Sequence, residues 1–335
     1  MRPQRPQILL FCLFFSMLLF FAFFYLFSPA PKLLERENRI SAGFPDLSFD
    51  SYRSGRLSAE LSRFAADGVP FRDGLTSLAA LSELALGKRE RGGVLYTDGG
   101  RLIARPRGDG EFAESNARAV SRLLAYGVPF YHFTVPTAYE VYTEGDARFS
   151  LSDYYLTDHH LNEKGARRLA EEIAARLSLT LPTVTHARFG GDFYGTGASA
   201  LGIDLLPDAV YLPRYAGDSA LSARAEGKDI PVYDASAEGR RDLYTVFFGG
   251  NYPLLSVTKK AAGKRPRLLV LKDSYMNAVA PMLADAADLL LCDPRYFEGD
   301  FDALIRSYAP DAILLVSGSE LLCESDALTR LFDTW

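Results

Sequence analysis

Leu268-Leu269-Val270-Leu271-Lys272-Asp273-Ser274-Tyr275-Met276-Asn277 joins a short apolar run to a charged, hydroxylated turn. A run of that length bounded by a turn reads as a buried strand, and its end delivers Ser274 to the mouth of a following helix. Hydrolases expose a nucleophile on a strand-to-helix turn of this kind. A serine at a helix start also has a purely structural use, because its hydroxyl caps the backbone N–H groups left free in the first turn. Ser274 therefore carries two competing readings.

Downstream, the pattern repeats. Helix Ala278–Leu283, strand Leu289–Cys292, helix Phe301–Tyr308, strand Ala312–Val316 and a last helix from Glu320 make three β-α units in series. Right-handed crossovers then make the strands parallel, with helices on both faces of the sheet. Pro281 conflicts with a regular helix after Ser274, so that helix is expected to kink or to begin late. Upstream, Glu114 to Tyr126 is helical with Ala117, Val120, Leu123 and Leu124 on one face, and Val128 to Val135 is a strand ended by Pro136. Gly165 to Leu177 is a clear amphipathic helix, with Ala166, Leu169, Ala170, Ile173 and Leu177 at three- and four-residue spacing. Gly93–Tyr96 and Arg101–Ala104 read as a hairpin through Asp98-Gly99-Gly100. The whole is an α/β pattern.

Residues 182–265 are the least regular part. Two turns there, Phe193-Tyr194-Gly195-Thr196-Gly197 and Phe248-Gly249-Gly250-Asn251-Tyr252, are either plain turns or places where a glycine backbone approaches a ligand.

Thr157-Asp158-His159-His160 lies just before the helix that starts near Gly165. In an extended loop alternate side chains share a side, so Asp158 and His160 point together and His159 faces away. A serine hydroxyl needs a base within hydrogen-bond reach, the role of His160, and the base needs a group that fixes its tautomer, the role of Asp158. Ser274 is distant in sequence, yet strand ends of an open α/β sheet converge on one rim. An oxyanion would need donors, for which the Ser274 N–H, Asn277, Gly250 with Asn251, and Arg295 are candidates. Tyr275 and Tyr194 flank these positions as substrate contacts. Arg295, in Asp293-Pro294-Arg295-Tyr296 beyond the next strand, has a surface or interdomain salt bridge as its competing role. Metal binding by Asp158, His159 and His160 would need scattered carboxylates to complete it, because His132 and His186 lack ligand spacing. Neither a metal nor a cofactor is expected.

Ile8 to Phe27 is an unbroken apolar run with Arg2 and Arg5 before it and Pro29 and Pro31 after it. About twenty such residues span a bilayer core, and the basic flank predicts a cytoplasmic N-terminus. A signal peptide has a shorter apolar region, of about 7–15 residues, although Ser28-Pro29-Ala30 resembles a cleavage site. The expected organisation is a cytoplasmic stretch 1–7, a single-pass signal-anchor helix 8–27, a juxtamembrane linker 28–50 and an extracytoplasmic domain 51–335. The first part of that domain, Leu57 to about Leu86, keeps a helical apolar period interrupted at Gly68-Val69-Pro70, as two amphipathic helices would.

At 335 residues and 48% hydrophobic content the chain has ample material for a core. A net charge of −5 with scattered Lys and Arg excludes the concentrated basic surface that DNA or RNA binding needs. The three cysteines, Cys12, Cys292 and Cys323, permit at most one intradomain bridge, since Cys12 lies in the apolar run. Cys292 and Cys323 read as packed thiols.

On Val69-Pro70-Phe71-Arg72-Asp73, Val135-Pro136-Thr137-Ala138, Asp158-His159-His160, Phe193-Tyr194-Gly195, Leu271-Lys272-Asp273-Ser274-Tyr275 and Asp293-Pro294-Arg295-Tyr296-Phe297, the chain resembles the bacterial DHHW protein family from about Glu35 to about Leu322. It departs from the name-giving motif at Leu161, where that family has Trp. The family is similar in turn to the SGNH-hydrolase-like domain of alginate O-acetyltransferase proteins, in which an Asp-x-His pair precedes the nucleophilic Ser. The resemblance implies an SGNH-hydrolase-like three-layer α/β/α sandwich with a mostly parallel sheet, preceded by the N-terminal transmembrane helix. It also implies a Ser274-His160-Asp158 triad serving as O-acetyltransferase or acetylesterase on a cell-envelope polysaccharide, with envelope-biosynthesis proteins as expected partners. A non-catalytic envelope protein binding a glycan or a partner on the same fold is the alternative.

Overall fold

The computed structural model describes residues 5–27, 31–37, 39–260 and 263–333. The proposed cleavage site at 28–30 lies outside these. Helix α1 (Arg5–Phe27) has 23 residues, about 34 Å at 1.5 Å per residue, long and apolar enough to cross a bilayer core. From Ile8 onward it carries no charged residue.

The chain divides into two compact units, 1–88 and 89–335. This boundary differs from the expected one at residue 50. Helices α2 (Arg56–Asp67) and α3 (Arg72–Ala85) belong with the first unit, because they pack on their sequence neighbours. Between them Phe71 adopts a left-handed backbone (φ 59°) and sets its ring 5.2 Å from that of Phe24 in α1. Arg39 makes two 2.7 Å bonds to the last residue of α2, Asp67, and holds that carboxyl down to about 2.

The second unit is built on a seven-stranded sheet. Its strands are β1 (Phe130–Val135), β2 (Leu221–Ala225), β3 (Lys228–Ile230), β4 (Leu254–Lys259), β5 (Arg267–Lys272), β6 (Asp288–Cys292) and β7 (Ala312–Gly318), in the spatial order β3-β2-β4-β6-β5-β7-β1. β6, β5, β7 and β1 are mutually parallel, and β4, β2 and β3 extend this core by antiparallel pairing. The antiparallel extension comes from the stretch that looked irregular in sequence. Its strands are separated by turns, and β2 places Ala223 and Ala225 rather than β-branched residues on its buried side.

Alternation along β5 sorts the two faces. Leu268 and Val270 pack with β1, with helix α5 (Glu163–Leu177) and with helix α7 (Tyr275–Leu283). Leu269 and Leu271 face the opposite layer of helices α4 (Ala113–Ser121), α8 (Phe301–Tyr308) and α9 (Ala327–Asp333). Successive crossovers β5-α7-β6 and β6-α8-β7 move in opposite directions across the sheet, so right-handedness puts their helices on opposite faces. The result is a three-layer α/β/α sandwich.

Helix α7 begins at Tyr275, without the delay that Pro281 suggested. Pro281 lies inside the helix and removes the one i→i−4 bond to the Asn277 carbonyl, yet the helix runs on to Leu283. The expected hairpin forms from Val94–Tyr96 and Leu102–Ala104, with Glu90–Arg91 as a third strand. Cys292 is a buried free thiol at the end of β6, and burial pushes its pKa up; Cys323 is also unbridged.

Candidate active site

The parallel strands end on one rim. β5 brings Asp273 and Ser274 there, β6 brings Asp293 and Arg295, and β7 brings Gly318. Asp273 is buried and accepts the N–H groups of Tyr275 (3.0 Å) and Gly318 (2.6 Å), which ties the start of α7 to the end of β7. Burial raises its pKa against the opposing pull of the Gly318 N–H and of Arg295. Asp273 thus satisfies the helix start, and Ser274, although at the N-cap position, makes no capping bond with its side chain.

The Ser274 hydroxyl points elsewhere. Its Oγ lies 2.8 Å from His160 Nε2, and His160 Nδ1 lies 2.6 Å from Asp158 Oδ1. Asp158 and His160 are both buried. Asp158 Oδ1 also accepts the His160 N–H at 3.0 Å, while Oδ2 accepts the Thr196 N–H (2.8 Å) and hydroxyl (3.0 Å). Burial by itself would raise the Asp158 pKa, but His159, His160 and these donors outweigh it and hold the carboxyl well below its ordinary range.

The local sequence explains how this loop is held. Asp208 accepts the N–H groups of Leu156 and Thr157 and the Thr157 hydroxyl, at 2.6 to 2.7 Å, fixing the approach to Asp158. Thr157 Oγ1 in turn accepts the Gly195 N–H at 3.0 Å. Gly195 has an ordinary extended backbone, yet a Cβ there would run into Asp158 Cβ and Oδ2. It is a glycine because the chain passes directly against the carboxylate. Thr196, at the start of helix α6 (Thr196–Leu201), then presents its N–H to Asp158.

One expectation about the loop fails. His159 does not face away from His160: the two rings lie 3.9 Å apart, tilted by 36°, and His159 lines the same cleft as Ser274. The alternation rule requires an extended strand, whereas Asp158 accepts the N–H two residues on and bends the chain. The next residue, Leu161, is 1% exposed and packs in the core, so the position that departs from the DHHW motif faces the interior.

Tyr244 was not legible as a site residue. Its ring stacks on His160 at 3.8 Å with an interplanar angle of 13°, and its hydroxyl donates to the Ser274 carbonyl at 2.9 Å. The residue sits in a short turn of residues 243–246 with no motif around it. Its effect is to hold both the His160 ring and the Ser274 backbone.

The remaining sequence-derived positions separate. Asn277 is buried beneath the rim, where its Oδ1 accepts from Lys272 Nζ (3.0 Å) and its Nδ2 donates to Asn251 Oδ1 (3.0 Å). It is committed to this network and not aimed at the cleft. Asn251 Oδ1 accepts from Lys272 as well (3.2 Å), and its residue is exposed, next to Gly250 at φ 142°. Lys272 is fully buried, 3.4 Å from Asp293, and burial lowers its pKa against that carboxylate's opposing effect. Arg295 lines the cleft and binds Asp293 through Nε (2.8 Å) and Nη2 (2.7 Å), so its salt bridge is local to the rim. Tyr275 also lines the cleft, and its hydroxyl donates to the His159 carbonyl at 3.0 Å. Tyr194 does not join this lining; it packs with Arg241, whose guanidinium lies 5.8 Å from the ring centre.

The cleft has a volume of about 670 Å³ and is walled by the strand turns at Gly92–Val94 and Ala104–Arg107 opposite Glu320 and Glu324. The Ser274 N–H has no acceptor among the described residues and stands free at its floor. Ligand atoms of Asp158, His159 and His160 fall within 4.8 Å of one another. They do not suit a metal, because both Asp158 oxygens already accept two donors each and His160 is bonded at both ring nitrogens.

No protein-family model matches the chain, and no curated protein matches it significantly. Solved structures do share the fold. A DHHW family protein from Eubacterium siraeum superposes with a TM-score of 0.59 at 18% identity, over 72% of this chain and 95% of that one. Bacillus cereus PatB1 with a sulfonyl adduct gives 0.54 at 17% identity, over 71% of this chain and 99% of that one. A second PatB1 structure gives 0.51 at 20% identity over 70% and 98%. At such identities the likeness is one of fold, an α/β architecture of the kind that the family resemblance implied.

Proposed function

We propose that the protein is a membrane-anchored, extracytoplasmic acyl-transfer enzyme that forms an acyl-Ser274 intermediate, as an O-acetyltransferase or acetylesterase of an envelope polysaccharide. The observation that carries this reading is the unbroken chain from Ser274 Oγ to His160 Nε2 and from His160 Nδ1 to Asp158, with Ser274 making no cap.

In the first half-reaction His160 Nε2 takes the Ser274 proton as Oγ attacks the acyl carbonyl. The carbonyl oxygen becomes an oxyanion, for which the free Ser274 N–H is one donor. Collapse expels the donor's alcohol or thiol, which leaves with the proton from His160. In the second half-reaction His160 deprotonates water or a sugar hydroxyl, that oxygen attacks the acyl carbonyl, and Ser274 recovers its proton as the ester breaks. Asp158 stays ionised throughout, orients the Nδ1–H tautomer and stabilises the imidazolium. Water as acceptor makes an esterase and a sugar hydroxyl makes a transferase. Arg295, Tyr275 and Asn251 would contact substrate at the rim; Asn277 supports it from beneath.

PatB1 carries a sulfonyl adduct in one of the structures that share this fold, which makes a sulfonyl fluoride the natural probe. Phenylmethylsulfonyl fluoride should sulfonylate the full chain once, on the peptide containing Ser274, and should leave Ser274→Ala unlabelled. Labelling that persists in Ser274→Ala, or none in the wild type, would favour the non-catalytic binding reading.

A further inference from the structure

We infer that His159 reads the acceptor: its Nε2 accepts a hydrogen bond from a second hydroxyl of a polyhydroxylated substrate bound beside Ser274. The inference rests on the acyl-transfer reading and assigns its acceptor class.

The argument is one of proton counting. The Thr196 hydroxyl has a single hydrogen, and it is spent on Asp158 Oδ2, an ionised oxygen that can only accept. The 2.9 Å contact between Thr196 Oγ1 and His159 Nδ1 must therefore be donated by the imidazole. That fixes His159 as the Nδ1–H tautomer and leaves Nε2, on the far edge of the ring, as a lone-pair acceptor. Nε2 has no partner among the described residues, and the His159 side chain is 34% exposed in the wall of the cleft that holds Ser274. Burial lowers the His159 pKa and the adjacent His160 lowers it further, against the opposing charges of Asp158, Glu320 and Asp273. The ring thus stays neutral while His160 carries the proton in flight.

An unpaired acceptor beside a nucleophile selects for a donor on the ligand. Vicinal hydroxyls of a sugar supply one, since one hydroxyl attacks the acyl group and its neighbour bonds Nε2. A simple alcohol has only the attacking hydroxyl, and water's second O–H sits on the attacking oxygen itself rather than on a neighbouring atom.

The test uses the full chain in detergent with 4-nitrophenyl acetate as donor. Two competing acceptors are offered: methyl β-D-glucopyranoside, and tetrahydropyran-4-ol, which has a similar ring and one hydroxyl. Product ratios from one acyl-enzyme pool are independent of total activity. The wild type should favour the glucoside by about tenfold, the worth of one good hydrogen bond. His159→Asn keeps a donor toward Thr196 but removes the Nε2 acceptor, so the ratio should fall to that of two unrecognised alcohols. His159→Gln restores an acceptor oxygen near Nε2 and should keep most of the preference. Equal use of both alcohols by the wild type, a preference that survives in His159→Asn, or its loss in His159→Gln would overturn the inference. Failure of the acyl-transfer reading is seen separately, as nitrophenol release that does not depend on Ser274.

Discussion

On the proposed acyl-transfer reading the decisive residue is Ser274, and what frees its hydroxyl is that Asp273 has taken over the helix start. Asp158 then sets the base. Replacing it by Asn keeps the shape but lets the amide nitrogen face His160 Nδ1, so the productive tautomer is lost. Aryl-ester turnover by Asp158→Asn should fall by about 10³–10⁴-fold with little change in KM. The same carboxylate has a stability signature. Its pKa is depressed in the fold, so its contribution is present above the ordinary carboxylate pKa of about 4 and is lost as pH falls below it. Denaturant titrations below about pH 4 should show a shallower loss of stability in Asp158→Asn than in the wild type. Tyr244 separates stacking from hydrogen bonding. Tyr244→Phe keeps the ring over His160 and drops the bond to the Ser274 carbonyl, and should cost about tenfold or less in kcat, whereas Tyr244→Leu loses both and should cost more.

At the scale of elements, the βα units around β5 were legible because a parallel strand buried on both faces writes a continuous apolar run, as Leu268 to Leu271 does. The helix Gly165 to Leu177 was legible from its period. What was hidden has specific causes. Strand β2 buries alanines, and β2 to β4 alternate only briefly between Gly- and Pro-containing turns. The bend at Asp158-His159-His160 depends on a side-chain-to-backbone bond, which no periodicity reports. Tyr244 and Thr196 reach the site only through tertiary contact, although Gly195, jammed against Asp158, lay in a turn already singled out for close approach. Beneath the rim, Lys272 ties β5 to β6 and α7 through Asp293, Asn251 and Asn277. Lys272→Met would leave the fully buried Asp293 with Arg295 as its remaining cation. Urea unfolding should register a loss of about 1–3 kcal/mol, since the Asn251 and Asn277 oxygens lose the buried ammonium donor while Asp293 keeps Arg295.

For the whole molecule, α1 is the segment that fits a bilayer and the α/β unit is the segment that holds the triad geometry. On the proposed single-pass topology, an alkaline carbonate wash should leave the full chain in the membrane, and release into the supernatant would point to a cleaved leader. A protease added outside inverted vesicles, whose outer face is the cytoplasmic one, should digest the α/β unit only after permeabilisation. The central claim, however, is chemical: this rim makes an ester on Ser274. A brief incubation of the full chain with 4-nitrophenyl acetate, acid quench and peptide mass mapping tests it most directly. The account predicts one acetyl group on the peptide containing Ser274, absent from Ser274→Ala and scarcely formed in His160→Ala. An acetyl group found elsewhere, or the same acetylation in His160→Ala, would contradict it.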